Sequence, residues 1–398
     1  MRATILVIDS FGIGALPDAV TFGDEGANTA AHICQAVYGE KWPQLRSFGL
    51  GNAAELTGEI LPGCEAVRDP AASYGVMAER SIGKDTTTGH WELMGVVLDE
   101  PFCTFPPLTP SFPAELIDAF VEQTGRGILG NRAASGTQII QDLGDEHVRT
   151  GMPIVYTSSD SVFQIAAHEE VIPSSELYRM CEAARALCDR YRVGRVIARP
   201  FIGGGGSYTR TSGRRDFSMV PPTATLLDRL FAHGVETVGI GKIGDIFAER
   251  GLTQSLHDKG NEACLDRTLE MLRYRPKHDQ FIFVNLVDTD MMYGHRRDAE
   301  GYAAAVSKVD ASISDIAPLL DDGDVFVVTA DHGCDPTYRG TDHTREYVPL
   351  LWYEPGLRPE SLGIRSSFAD LAQSLSQRFG AGAMEHGDAM KSVVRVGD

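Results

Sequence analysis

No apolar stretch of this 398-residue chain approaches the roughly 20 residues a membrane-spanning helix needs, which argues against a helical membrane protein. The opening run MRATILVIDS is too short for a secretory core and is stopped by an acid, so a cytoplasmic location is expected. Basic residues are scarce: 36 Lys and Arg stand against 55 Asp and Glu, a formal charge of −19. That deficit argues against nonspecific binding to nucleic acid or an anionic membrane, and it means an anionic substrate would need local cations to override the global field. Cysteines are few as well. The seven (Cys34, Cys64, Cys103, Cys181, Cys188, Cys264 and Cys334) are odd in number and never spaced C-x-x-C. A disulfide framework or thiolate zinc site is therefore not expected, and small packed core residues are. There is no internal repeat, and no obligate protein partner is expected.

What is present is enough apolar sequence, 43%, for a well-buried core and for two domains. Short β-branched runs alternate with amphipathic stretches, which predicts an α/β fold built on a mostly parallel sheet flanked by helices. Predicted strands are 3–9, 236–241, 280–288, 324–330 and 348–354; predicted helices include TATLLDRLFAHG, CLDRTLEMLRY, GYAAAVSKVDASISDIAPLL and FADLAQSLSQRFG. Between these groups lies a section with its own helices and strands, bracketed by the proline-rich DEPFCTFPPLTPSFP and by GGGGS followed by MVPPT. Such punctuation marks domain boundaries. The expectation is a core formed by 1–98 and 218–398, with a smaller α/β domain inserted at 99–217.

Three predicted strands end alike. ILVID delivers Asp9, FVNLVDTD delivers Asp288 and Asp290, and VFVVTADH delivers Asp331 and His332. In open parallel sheets functional groups gather beyond the carboxyl ends of the strands, so these acids could converge. Burying several carboxylates together costs many kcal/mol or forces protonation, a conflict that metal ions remove. His295 lies five residues beyond Asp290, and His343 eleven beyond His332. Three Asp and three His suit a mixed oxygen and nitrogen site for Mn²⁺, Zn²⁺ or Mg²⁺, with ligands enough for two ions. A single Asp-His pair after a strand is more often a helix cap beside a surface imidazole. Agreement among three strand ends is the stronger signal. Cys334, two residues from His332, reads as a small packed thiol.

A second cluster is GKDTTTGHWELMG, 83–95. A phosphate-binding G-x-x-x-x-G-K-[ST] loop would need Gly where Ala78 stands and Ser or Thr where Asp85 stands, so that reading is rejected. A helix start capped by Asp85 or a threonine explains the stretch in structural terms. A hydroxyl at a helix N-terminus is also well placed to carry a phosphoryl group, and a nearby metal would make it a nucleophile.

Taken together, VIDSFGIGALPDA, GKDTTTGHWELMG, SGTQII, SSDSVFQIAAHEE, GRVIARPF, NLVDTDMMYGHRRD and TADHGCDP with GTDHTREYVPLL resemble the bacterial, metal-dependent phosphopentomutase family of the alkaline phosphatase superfamily. The resemblance runs from near the N-terminus to beyond residue 350 and includes the insert, which resembles the family's cap. It implies that Thr86 is the phosphorylated nucleophile, that Asp9, Asp331 and His332 hold one metal, and that Asp290, His295 and His343 hold the other. Asp288 and Asp342 become neighbours of ligands. The implied cofactors are two Mn²⁺, with Mg²⁺ or Zn²⁺ as substitutes, and a sugar bisphosphate activator.

The implied reaction interconverts ribose 1-phosphate and ribose 5-phosphate, and the deoxyribose pair, through phosphothreonine and a sugar bisphosphate. A mutase must exclude water while it retains the bisphosphate, which is the role implied for the cap. Arg199, Arg210, Arg214 and, from the core, Lys242 are candidates to clamp phosphate, and Asp160 to hold a sugar hydroxyl. The rivals are another enzyme on this core, such as a phosphatase, sulfatase or cofactor-independent phosphoglycerate mutase, and a non-catalytic metal-dependent phosphosugar-binding protein. A threonine nucleophile and the insert motifs weigh against the first, and Thr86 with all six ligands present weighs against the second.

Overall fold

The run RATILVI forms a strand, β1 (Arg2–Ile8), buried along its whole length. Burial of every position, Arg2 and Thr4 included, belongs to a strand covered on both faces. In the computed structural model, which describes residues 1–39, 41–158 and 161–394, the chain divides into two compact units. One comprises 1–100 with 221–398, the other 101–220.

The larger unit contributes β1 and β2 (Ser73–Met77) before the smaller one. The smaller unit contains β3 (Leu129–Ala133), β4 (Ile154–Thr157), β5 (Val162–His168), β6 (Arg195–Gly204), β7 (Ser207–Arg210) and β8 (Arg215–Ser218). The larger unit then resumes with β9 (Glu236–Ile240), β10 (Gln254–Leu256), β11 (Gln280–Leu286), β12 (Val325–Thr329), β13 (Val348–Tyr353) and β14 (Ser361–Arg365).

Its sheet runs β10-β9-β11-β1-β12-β13-β2-β14. All pairings are parallel except those of β13, which is antiparallel to both β12 and β2. No helix intervenes between β12 and β13, only the loop 330–347, so the chain returns antiparallel rather than crossing over. The central register sets Ile5 opposite Phe283 on one side and Val327 on the other. Because β11, β1 and β12 are adjacent and parallel, their carboxyl ends open onto one edge.

The predicted helices occur at Leu226–Ala232, Gly260–Arg273, Ala299–Ile316 and Ala369–Arg378. In the larger unit Thr29–Ala36, Pro43–Phe48 and Leu50–Glu55, not predicted as helices, are helical, each eight residues or fewer and too short for a period to stand out, while Thr86–Leu93 is the helix whose start is expected at Asp85. Among the described residues no helix is long and apolar enough to cross a membrane.

In the smaller unit the sheet order is β3-β4-β5-β6-β7, with β8 also paired to β6. The alternation along β5 divides its core: Phe163, Ile165 and Ala167 pack with Phe112, Phe120 and Leu177, while Ala166 packs with Ile139, Ile154 and Phe201. The helices Ala114–Thr124 and Ser174–Cys188 contribute to the first cluster and Gly136–Thr150 to the second.

Candidate functional site

The sheet brings Asp9, Asp290, Asp331 and His332 together at the carboxyl ends of its three central strands, all four buried. His332 Nε2 lies 3.5 Å from Asp9 Oδ1 and 3.3 Å from Asp331 Oδ2, so these three form one candidate metal group. The backbone there is strained. Ser10, directly after Asp9, has φ 67°, which turns its N–H to donate to Asp331 Oδ1 at 3.0 Å, while Thr289 Oγ1 donates to Asp9 O at 2.6 Å.

A second group gathers around Asp290. His295 Nε2 lies 3.3 Å from its Oδ2, His343 Nε2 lies 3.4 Å from its Oδ1, and the two imidazole nitrogens are 3.1 Å apart. A π-helical turn, Thr289–Gly294, carries Asp290 into the cluster. The two groups adjoin, for the His332 and His343 ring centres are 4.1 Å apart and Asp290, His332 and His343 also lie within one ion's reach.

Electrostatics show what this gathering costs. Burial, together with the Asp331 and Asp290 charges, pushes the Asp9 carboxyl well above its ordinary range. Burial also opposes charge on Asp290 and Asp331, but neighbouring imidazoles outweigh it and hold both carboxyls low: His343 and His295 for Asp290, His332 and His90 for Asp331. His295, hydrogen-bonded to Asp290, is pushed up to about 11. Asp9 Oδ1 and Asp290 Oδ1 are buried with no hydrogen-bond partner among the described residues, and Asp331 Oδ2 has only the His90 imidazole beside it at 3.0 Å, apart from His332. Orphaned carboxylate oxygens beside imidazole nitrogens fit divalent cations that take mixed oxygen and nitrogen ligands. Cys334 is buried near His295, and burial pushes its thiol up to about 11, which suits a packed thiol.

Thr86 is the first residue of the helix Thr86–Leu93, and its Oγ1 lies 3.2 Å from His332 Nε2. Asp85 caps that helix, accepting from the Thr87 and Thr88 N–H groups and from the Thr88 hydroxyl. Gly89 permits the close approach: a Cβ there would stand 2.1 Å from Asp331 O. The structure thus separates three threonines that are alike in sequence. Thr88 is buried and committed to Asp85, whereas Thr86 faces the acid and imidazole cluster.

Asp288 turns aside, accepting from Asn261 N at 2.9 Å near the start of the helix Gly260–Arg273. Asp342 is exposed, 3.5 Å from Lys84 Nζ. Lys242 follows β9, and its charge reaches Asp9. In the smaller unit, Arg199 donates to Gln164 Oε1, Arg210 to Tyr156 OH, and Arg214 holds both oxygens of Asp216 at 2.7 Å. Burial and the charges of Arg214 and Arg210 lower the proton affinity of Arg199, so the three guanidinium groups share one neighbourhood. Asp160 lies outside the described residues.

Sequence reasoning missed two buried polar residues. His90 Nδ1 lies 2.9 Å from Thr86 O and 3.0 Å from Asp331 Oδ2, and Asn285 Nδ2 donates to Asp9 Oδ2 at 2.8 Å. Burial disfavours a proton on His90, but the Asp331 and Asp9 charges prevail and raise its proton affinity. The available signal was a lone amide in the apolar run QFIFVNLV; for His90 it was only proximity in sequence to the threonines.

A model described as the metalloenzyme superfamily matches residues 1–383. The phosphopentomutase of Caldanaerobacter subterraneus subsp. tengcongensis is 50% identical over 388 residues, covering 97% of this chain and 96% of that protein. The phosphopentomutase of Dictyoglomus thermophilum is 49% identical over 398 residues, covering 100% of this chain and 99% of that protein. Among solved structures, the PH0037 protein from Pyrococcus horikoshii is 13% identical with a TM-score of 0.49, covering 97% of this chain and 99% of that one.

Proposed function

The chain belongs to the phosphopentomutase family within the metalloenzyme superfamily, and on that basis we propose that it interconverts ribose 1-phosphate and ribose 5-phosphate, and the corresponding deoxyribose phosphates. The observation that carries the mechanism is the Thr86 hydroxyl, 3.2 Å from His332 Nε2 at the edge of a cluster of three acids and three imidazoles.

In this reading Asp9, Asp331 and His332 would hold one Mn²⁺, and Asp290 with the His295 and His343 imidazoles beside it the other. Mg²⁺ or Zn²⁺ could substitute. Divalent cations, when bound, supply charge that offsets the developing negative charge of phosphoryl transfer. Thr86 Oγ carries the phosphoryl group at rest. A hydroxyl of the bound pentose monophosphate attacks phosphorus and releases its proton, the bond to Thr86 Oγ breaks as that oxygen takes up a proton, and the sugar becomes a bisphosphate. After the sugar reorients, Thr86 Oγ attacks the other phosphorus, the bond from that phosphorus to the sugar breaks, and the departing sugar oxygen regains a proton. The net change is isomerisation, with no water consumed, and a sugar bisphosphate would recharge enzyme that has lost its phosphoryl group.

Arg199, Arg210 and Arg214 in the smaller unit, and independently Lys242 in the larger, are the proposed phosphate-binding cations in a protein otherwise acidic. Asp160 is the proposed holder of a sugar hydroxyl.

Incubating the Mn²⁺-loaded protein with ribose 1-phosphate tests the reading. Formation of ribose 5-phosphate is the expected result. Mostly free phosphate would make it a hydrolase, and unchanged sugar phosphate a binding protein.

A further inference from the structure

We propose that His90 and Asn285 act as a positioning pair, tying the main chain of Thr86 to the two carboxylates of the first metal group. The inference rests on the reading of Thr86 as nucleophile and concerns what holds it in place. Both residues are fully buried, and neither is itself a candidate ligand. The contacts form a continuous path branching at His90: Thr86 O to His90 Nδ1 (2.9 Å), His90 Nδ1 to Asp331 Oδ2 (3.0 Å), His90 Nε2 to Asn285 Nδ2 (3.3 Å), and Asn285 Nδ2 to Asp9 Oδ2 (2.8 Å).

Hydrogen-bond roles along this path admit one assignment. A carbonyl and a carboxylate both only accept, so His90 Nδ1 must carry a proton. An amide nitrogen only donates, so His90 Nε2 must present its lone pair to Asn285 Nδ2. Along this path Nδ1 is thus the donor and Nε2 the acceptor. Its ring fixes the first turn of the helix Thr86–Leu93 against Asp331, and Asn285 fixes the rotamer of Asp9. Partners of this kind govern both metal affinity and the aim of the reacting group.

The ring is packed 5.6 Å from that of Phe283, so His90→Phe removes both nitrogens while filling the space. In full-length protein stripped of metal, calorimetric titration with Mn²⁺ should show binding weakened roughly 10- to 100-fold. After reloading, kcat should fall by about 100-fold with KM within about threefold, the signature of lost aim rather than lost substrate binding. His90→Asn, whose amide N–H can stand where Nδ1–H stood, should recover at least roughly tenfold of that kcat. Asn285→Leu should weaken Mn²⁺ binding similarly, and the double variant should be little worse than either single change, because the two act as one unit. The proposal is overturned if folded His90→Phe keeps Mn²⁺ affinity and kcat within about twofold of wild type, or if His90→Asn is no better than His90→Phe. Should His90→Phe fail to fold, Mn²⁺ binding by Asn285→Leu decides, and wild-type affinity there overturns the pair. The calorimetry scores the pair even if the wild-type protein proves not to convert ribose 1-phosphate, so failure of the proposal and failure of the functional reading are separable.

Discussion

At the scale of single residues, the proposed chemistry converges on one hydroxyl. Thr86→Ala should abolish turnover yet leave Mn²⁺ content nearly unchanged, since the six acids and imidazoles that would hold the ions are untouched. Labelling with ³²P should place phosphate on Thr86, and label on Thr87 or Thr88 would reassign the nucleophile. A residue remote from the site carries a separate expectation for stability. Asp310 is buried on the helix Ala299–Ile316, where it accepts from Leu45 N at 2.7 Å, and burial raises its carboxyl from 3.8 to about 6. The folded state therefore holds a proton there that the unfolded chain has already released. That contribution is fully present below about pH 4 and is lost as pH rises through about 6, a change of at most roughly 3 kcal/mol at 1.36 kcal/mol per pKa unit. Urea unfolding should show wild type losing stability relative to Asp310→Asn between pH 5 and pH 7. A difference that stays constant across that range would mean the carboxyl is already ionised.

At the scale of elements, the helix Thr86–Leu93 matters less for its own stability than for where it docks. Gly in a helix interior ordinarily costs about 1 kcal/mol relative to Ala, so Gly89→Ala would be stabilising at an exposed position. Here the added Cβ would meet Asp331 O at 2.1 Å, and overpacking of this kind costs roughly 1–3 kcal/mol. The steric term should win, pushing the helix from Asp331 and displacing Thr86. Gly89→Ala is expected to lower kcat at least roughly tenfold and to lower the urea midpoint, because small misplacements of reacting groups are costly. Normal kcat in that variant would show that the helix tolerates the shift. The π-helical turn Thr289–Gly294 plays a similar part, since it separates the paths of Asp288 and Asp290, two residues apart in sequence. Asp288 pairs with the helix Gly260–Arg273 through Asn261, and Asp290 enters the cluster.

At the scale of the whole molecule, three carboxylates buried together in a chain of formal charge −19 are a liability without cations. Binding Mn²⁺ only in the folded state should stabilise it by about 2.7 kcal/mol at a free concentration 100 times Kd, raising Tm by several degrees over protein treated with chelator. Equal melting temperatures with and without Mn²⁺ would contradict a site assembled for cations. Much of this organisation is legible in the order of the residues. An α/β core with a mostly parallel sheet follows from alternating apolar runs, and acids directly after three such runs mark their ends as special, because a buried strand that terminates in a carboxylate needs a reason to do so. The adjacency of those runs is not legible there. Strand order is a property of long-range pairing, and only the placing of β11 beside β1 beside β12 turns three separate endings into one cluster. Nor could spacing choose Asp290 over Asp288, pick Thr86 from three consecutive threonines, or reveal His90 and Asn285, since each depends on a side-chain direction set by packing. Sequence alone determined which chemical groups the protein possesses and the periodicities that build its elements, because both are local. The tertiary structure alone decided which of those groups face one another, because contact between residues hundreds of positions apart is settled by how the elements pack.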